Sequence, residues 1–200
     1  TFREFAKDKN ILVTQDVRGR YGSEGEYMHV RPFNPNKRAQ EIDESSDAYD
    51  TIDWLVKHIP NNNGNVGMFG ISYPGFYTSM GMIDSHPALM AASPQAPISD
   101  WFIGDDIHHN GAFFLSQNFG FFYWFEKPSE DPLHDAGKNF VFRNPDGYDF
   151  YRRMGPLGHS DKLFKGEVPV WTEFLDHHAL ERIGHAGHGV GAVESVTGEA

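Results

Sequence analysis

The sequence predicts an α/β fold with a parallel, doubly wound sheet followed by a helical insertion, and three observations carry that expectation. Segments alternate strand, helix, strand, helix, strand with short connections between Ile11 and Ala92. Within that alternation, Asn65 to Tyr77 (NVGMFGISYPGFY) places Ser72 between a short apolar run and a helix-like stretch, bracketed by Gly70 and Gly75. Beyond residue 100 the character changes: residues 101–125 carry ten aromatic side chains, from Trp101 to Phe125, without period-2 alternation.

Taken in order, Phe2 to Lys7 reads as the end of a helix and Ile11 to Val17 as a strand apolar enough to be buried on both faces. The glycine-rich loop DVRGRYGSEG follows, at the carboxyl end of that strand, where parallel sheets bind ligands. Asp16, Arg18 and Tyr21 are therefore candidates, against the plainer reading of a charged turn tied together by Asp16 and Arg18. A phosphate loop fits poorly, since no Lys-Ser/Thr pair and no helix follow the glycines. Pro32 to Lys37 is a loop. Glu41 to Ile59 has the spacing of an amphipathic helix, with Ala48, Ile52, Leu55, Val56 and Ile59 on one face, and Pro60 to Gly64 ends it.

The unit containing Ser72 comes next. A serine nucleophile at a sharp strand-to-helix turn sits in strained backbone, so its neighbours must be nearly free of side chain. Here the second glycine falls one place later than in G-x-S-x-G, with Pro74 between, a residue accepted in a helix's first turn. The Tyr73 amide, at the same helix N-terminus, is placed to donate to an oxyanion. The alternative is a Gly/Ser turn that merely ends a buried strand. Ala88 to Ala92 is a further strand, and SPQAP leads the chain out of the sheet.

The aromatic stretch reads as helices with a large apolar face, either a lid over an active site or a second core without ligand. Asp146 to Gly155 and Glu167 to Ile183 read as further helices, and Gly184 to Ala200 as a loose tail. The expected division is thus a core at 1–100, a helical insertion at 101–183 and a tail at 184–200.

Composition narrows the function classes. Seventeen Lys and Arg against 28 Asp and Glu give a net charge of −11, which argues against nucleic-acid and anionic-membrane partners. No cysteine is present, which rules out thiolate metal sites, disulfides and a cysteine nucleophile. The adjacent pair His177 and His178 lacks a third ligand at metal spacing, so neither a metal nor another cofactor is expected.

The strings QDVRGRYGSEGEY, DAYDTIDWLVKHIPNNNGNVGMFGISYPGF, DSHPALMAASPQAPISDW and GDDIHHNGAFF together resemble the α-amino-acid ester hydrolases and their relatives, the X-Pro dipeptidyl-peptidase, cocaine esterase and glutaryl acylase group, over about residues 1 to 180. The resemblance implies part of an α/β-hydrolase core with a helical cap inserted after the strand at Ala88 to Ala92. It implies hydrolysis of an ester or amide through a serine acyl-enzyme, the substrate being a small molecule or short peptide and the parent a homo-oligomer. By position, Ser72 matches the nucleophile and Tyr73 the residue whose backbone N–H serves the oxyanion hole. Asp106 matches one carboxylate of a cluster that holds the substrate's ammonium group, a use suited to a buried anion, while Asp105 beside it reads as a helix cap.

The resemblance also shows departures. A second oxyanion donor, a tyrosine hydroxyl, belongs to a segment upstream of Ile11, and Tyr21 does not replace it. The triad aspartate and histidine belong beyond residue 180, where nothing similar appears, so the chain reads as a central piece of a larger enzyme. Among its own histidines, His86 ends the helix behind Ser72, His108 and His109 open the insertion, and His185 and His188 lie in the tail; none is expected to be the base. Two expectations follow, a serine hydrolase in the parent protein and a non-catalytic or partner-dependent piece in these residues alone.

Overall fold

The computed structural model describes residues 2–38, 40–98, 106–110, 112–126, 139–143 and 145–176. The chain divides into two compact units, Thr1–Ser99 and Asp100–Ala200.

In the first unit, α1 (Phe2–Lys7) precedes α2 (Glu44–His58), β1 (Val66–Ile71), α3 (Tyr73–Gly81) and β2 (Leu89–Gln95), and β1 pairs with β2 in parallel. Successive side chains of β1 point to opposite faces. On one face Gly81 of α3 lies so close that a Cβ there would stand 2.7 Å from Met68 Sδ and 3.2 Å from Ala48 Cβ of α2. On the other, the Phe69 ring lies 5.5 Å from that of Phe5 in α1. The expected doubly wound sheet is thus represented, among the described residues, by two parallel strands with helical residues against both faces.

Helix α2 starts three residues later than its apolar pattern suggests because Asp43 caps it. The Asp43 carboxylate accepts from Ser46 N–H (2.9 Å), and Ser46 Oγ accepts from Asp43 N–H (2.9 Å), a reciprocal box that fixes the first turn. Lys37 Nζ, 3.0 Å from the same carboxylate, supplies the countercharge. Ile52 is buried on the face expected for it.

Two expectations about strands are corrected. Ile11 to Val17 forms no strand, and Ile11, Leu12 and Val13 are 51, 42 and 49 % exposed. Apolar β-branched sequence becomes a strand only when a neighbour completes its ladder, and here Gln15 and Val17 line a cavity of about 270 Å³ together with Met68 of β1 and pair with no strand among the described residues. Conversely β2 runs past Ala92 to Gln95, with Pro94 opposite Gly70, because an edge strand tolerates proline's missing N–H.

The second unit opens, in its described part, with a short antiparallel hairpin, β3 (His108–His109) and β4 (Ala112–Phe113), where helix had been expected. Helix α4 (Leu115–Glu126) follows, then α5 (Gly147–Met154), a 3₁₀ turn (Leu157–His159), α6 (Asp161–Phe164) and α7 (Pro169–Asp176). Phe119 of α4 is fully buried, ringed by Phe140, Phe142, Phe150, Tyr151, Phe164 and Trp171 at centroid distances of 4.5 to 5.9 Å, mostly edge to face. Trp171 Nε1 donates to the buried Ser160 Oγ (2.8 Å), so the largest side chain of this core buries no unpaired donor. Much of the aromatic face read from the sequence therefore packs within its own unit. Helix α5 keeps the expected limits, with Asp146 accepting from Tyr148 N–H and Gly155 at its C-cap. The expected tail Gly184 to Ala200 lies outside the described residues.

Candidate active site

Ser72 stands between the last residue of β1 and the first of α3 with φ +62° and ψ −120°, a conformation that L-residues seldom adopt. Backbone hydrogen bonds hold it there. Its N–H donates to Gln95 O of β2 (2.9 Å), and its carbonyl accepts from Phe76 N–H (3.1 Å), the start of the α3 ladder. The two glycines are required by contact: a Cβ on Gly70 would lie 2.2 Å from Pro74 O, and one on Gly75 would lie 2.5 Å from Gln95 O. The displaced second glycine is the residue that passes beneath the β2 carbonyl, which gives the G-x-S-x-x-G spacing its steric reason. Pro74 occupies the first turn of α3 as expected.

Ser72 is exposed, and its hydroxyl does not cap α3. Among the described residues no histidine hydrogen-bonds to it. The amides of the first turn of α3, that of Tyr73 included, stand at the positive end of a nine-residue helix, suited to an oxygen that gains charge beside Ser72.

The side chain of Tyr73 contributes something the sequence did not suggest. It is buried, and its hydroxyl accepts from Val30 N–H (2.9 Å) while lying 3.0 Å from both Tyr27 Oη and His29 Nδ1, themselves 3.1 Å apart. Burial, with Tyr27 adding to it, pushes the Tyr73 hydroxyl far above the ordinary tyrosine range, so it acts as a neutral donor and acceptor. His29 was not singled out in the sequence, since its partners lie more than forty residues away and no local pattern announces them.

The remaining candidates of the first unit make contacts of their own. Asp16 does tie its loop, accepting from Gly22 N–H (3.2 Å) through its carboxylate, and its backbone carbonyl accepts from Ser23 Oγ (2.6 Å). Arg18 does not join Asp16; its guanidinium forks onto Asp47 of α2, with Nε 2.8 Å from Oδ2. Tyr21 is exposed beneath the Arg20 guanidinium. The cavity between this loop and α2 is lined by Arg18, Glu24, Glu44, Asp47 and Asp50 among others, and Ser72 is not part of it. Glu44, at the head of α2, has its pKa raised to about 7, chiefly by burial, with Asp47 and Asp43 adding and Arg31 opposing.

Asp106 lies in the second unit on the turn before β3 and is exposed, not buried as expected of an ammonium-binding anion. Neighbouring Ile107 is buried, and its carbonyl accepts from Phe114 N–H (2.9 Å) and Asn118 Nδ2 (3.1 Å), which pins that turn. His108 packs against Phe113, and burial lowers its pKa. His109 stacks on Phe114. His86 accepts from Ala88 N–H through Nδ1 (3.1 Å) and approaches Asp53 with Nε2 (3.4 Å), so it braces the turn between α3 and β2. Asp105, His177, His178, His185 and His188 lie outside the described residues. No metal-holding group of three His, Asp or Glu occurs among those described.

Comparison with known proteins bears on this geometry. Residues 3–163 match the X-Pro dipeptidyl-peptidase (S15) family. The cocaine esterase of Rhodococcus sp. (strain MB1 Bresler) is 33 % identical over 97 residues, which is 48 % of this chain and 15 % of that protein. An aminopeptidase from the marine sediment archaeon Thaumarchaeota archaeon superposes with a TM-score of 0.75 at 36 % identity, over 88 % of this chain and 28 % of its own. An α-amino acid ester hydrolase gives 0.74 at 35 %, with the same coverage. The chain thus spans less than a third of each relative's length. With a match that covers most of its residues, and with a strained serine at the bend between β1 and α3, the chain belongs to the X-Pro dipeptidyl-peptidase family of serine hydrolases.

Proposed function

We propose that this chain carries the nucleophile of a serine hydrolase acting on small acyl esters or amides, with α-amino-acid esters and N-terminal dipeptides as the first substrate classes to try. The observation that carries the reading is the backbone of Ser72, held at φ +62° by Gln95, Gly70 and Gly75 with its side chain exposed. Ser72 Oγ attacks the carbonyl carbon and its proton passes to a general base. The oxygen becomes anionic and receives the Tyr73 N–H. Collapse expels the alcohol or amine, which takes the proton, and water then releases the acid by the same route in reverse. Asp106 pairs with the substrate's ammonium group, and the chain is read as a core at 1–100 and a cap at 101–183 that carries Asp106.

The base and its orienting acid come from other parts of a longer protein. This reading is supported by the coverage, 15 % and 28 % of the relatives' lengths, and by the lack of a histidine bonded to Ser72 among the described residues. In the second reading, which the same facts favour for these residues alone, the chain is a non-catalytic or partner-dependent piece. A p-nitrophenyl acyl ester assay separates the two, run on this chain and on the longer protein, each beside Ser72→Ala. The longer protein is expected to lose about 10⁴-fold or more in kcat on Ser72→Ala, while this chain is no faster than its own variant. Serine-dependent turnover by this chain alone would show that it holds its own base, and an active Ser72→Ala longer protein would remove Ser72 from the chemistry.

A further inference from the structure

Tyr73 supplies two things at once, an amide at the bend and a phenol in a buried hydrogen-bonded triangle, and the triangle does not belong to the bend. Its other members, Tyr27 and His29, and the Val30 amide come from the loop 43 to 46 residues upstream. Tyr73 Oη accepts from Val30 N–H, and the three edges of the triangle measure 3.0 to 3.1 Å, each within hydrogen-bond range.

The site of attachment is itself unusual. Val30 is buried with φ +46°, a left-handed conformation that is costly for a β-branched residue and persists only where its surroundings hold it. Its N–H reaches the Tyr73 hydroxyl from that conformation. One phenol thus links two strained points of the backbone, Val30 and the bend at Ser72. A second lock comes from packing, since the Tyr73 ring contacts His29 at 5.3 Å and Tyr77 at 5.3 Å.

We propose that Tyr27 and His29 are positioning residues for the oxyanion amide: by fixing the Tyr73 phenol they fix the direction of the Tyr73 N–H, and with it transition-state stabilisation at Ser72. The inference rests on the serine-hydrolase reading above. It places no acid–base role on His29, which touches Tyr73 and not the reacting oxygen.

The test uses the longer protein, a p-nitrophenyl ester for kcat and KM, and a phenylboronic acid, whose tetrahedral adduct on Ser72 puts an oxygen where the oxyanion would be. Tyr73→Phe and His29→Leu are each expected to lower kcat about 10- to 100-fold with KM within about twofold, and to weaken boronate binding by a similar factor, a smaller loss than deleting an oxyanion donor outright. His29→Asn, whose side-chain amide can hydrogen-bond in place of Nδ1, is expected to recover most of that loss. If Tyr73→Phe does not fold, Tyr27→Phe removes one hydroxyl of the triangle and carries the same test. Wild-type kcat and boronate affinity in the hydroxyl-deleted variant, or a His29→Asn enzyme as impaired as His29→Leu, would overturn the inference. Retained activity in Ser72→Ala would instead bring down the hydrolase reading itself, so the two failures are distinct.

Discussion

The two units meet the same problem, the burial of apolar side chains, by different means. In the second, Phe119, Phe122, Phe164 and Trp171 are wholly buried among other rings, and the tryptophan N–H has a partner. In the first, Ile71 of β1 and Met90 of β2 remain 60 and 67 % exposed, and Ile11 to Val13 are about half exposed. A helical core can close on itself, because each helix satisfies its own backbone and needs neighbours only for its apolar face. A sheet cannot, because each strand depends on the next for both hydrogen bonds and cover. In the unit that holds the serine, the apolar surface left uncovered includes side chains of the sheet itself, Ile71 of β1 and Met90 of β2.

The contrast can be broken most easily in the second unit. Trp171→Ala is expected to cost about 3–5 kcal/mol, because it removes a fully buried ring and leaves Ser160 without its donor. Urea unfolding followed by near-ultraviolet dichroism would show it, and a loss under 1 kcal/mol would mean that this core is not tightly packed. Gly70→Ala, at the bend of the first unit, is expected to cost about 2–3 kcal/mol or to displace α3, since the added carbon meets the Pro74 carbonyl, which has no side-chain freedom to yield. An unperturbed Gly70→Ala protein would remove the steric account of that spacing.

Glu44 sharpens the contrast through pH. Its folded pKa of about 7 stands above its unfolded value near 4.5, so the native state binds more protons between those limits. Stability is then expected to fall as pH rises from about 5 to 7 and to level off beyond, by on the order of 1–2 kcal/mol. Glu44→Gln should flatten that slope, measured by urea midpoints at pH 5 and pH 8; an unchanged slope would assign it to other groups. Smallest of all, Ile71→Thr and Met90→Thr are expected to change stability by less than about 0.5 kcal/mol while reducing light scattering on concentration, the reverse of what a buried position would give.

Legibility in the sequence followed the range of the forces involved. The serine bend was readable because its requirements are local: glycines at 70 and 75, a proline in the first turn, a strand before and a helix after. The caps of α5 were readable for the same reason. The start of α2 was also written in the chain, as Asp43 followed three residues later by Ser46, a signal weaker than its apolar stripe. Ile11 to Val17 misled because strand propensity describes a residue's fit to a partner that only the fold can supply. The Arg18–Asp47 fork and the Tyr27–His29–Tyr73 triangle join residues 29 and 44 to 46 positions apart, and pairings of that reach leave no periodicity to detect.

That difference in reach has a kinetic consequence. Every backbone contact described at Ser72 closes within residues 66–97, whereas the Tyr73 phenol waits for a loop that arrives from residues 27–30. The β1–α3–β2 crossover should consequently assemble early and the upstream loop dock late, so that deleting the phenol's oxygen accelerates unfolding while leaving the refolding rate nearly unchanged. Stopped-flow chevrons would reveal which limb moves.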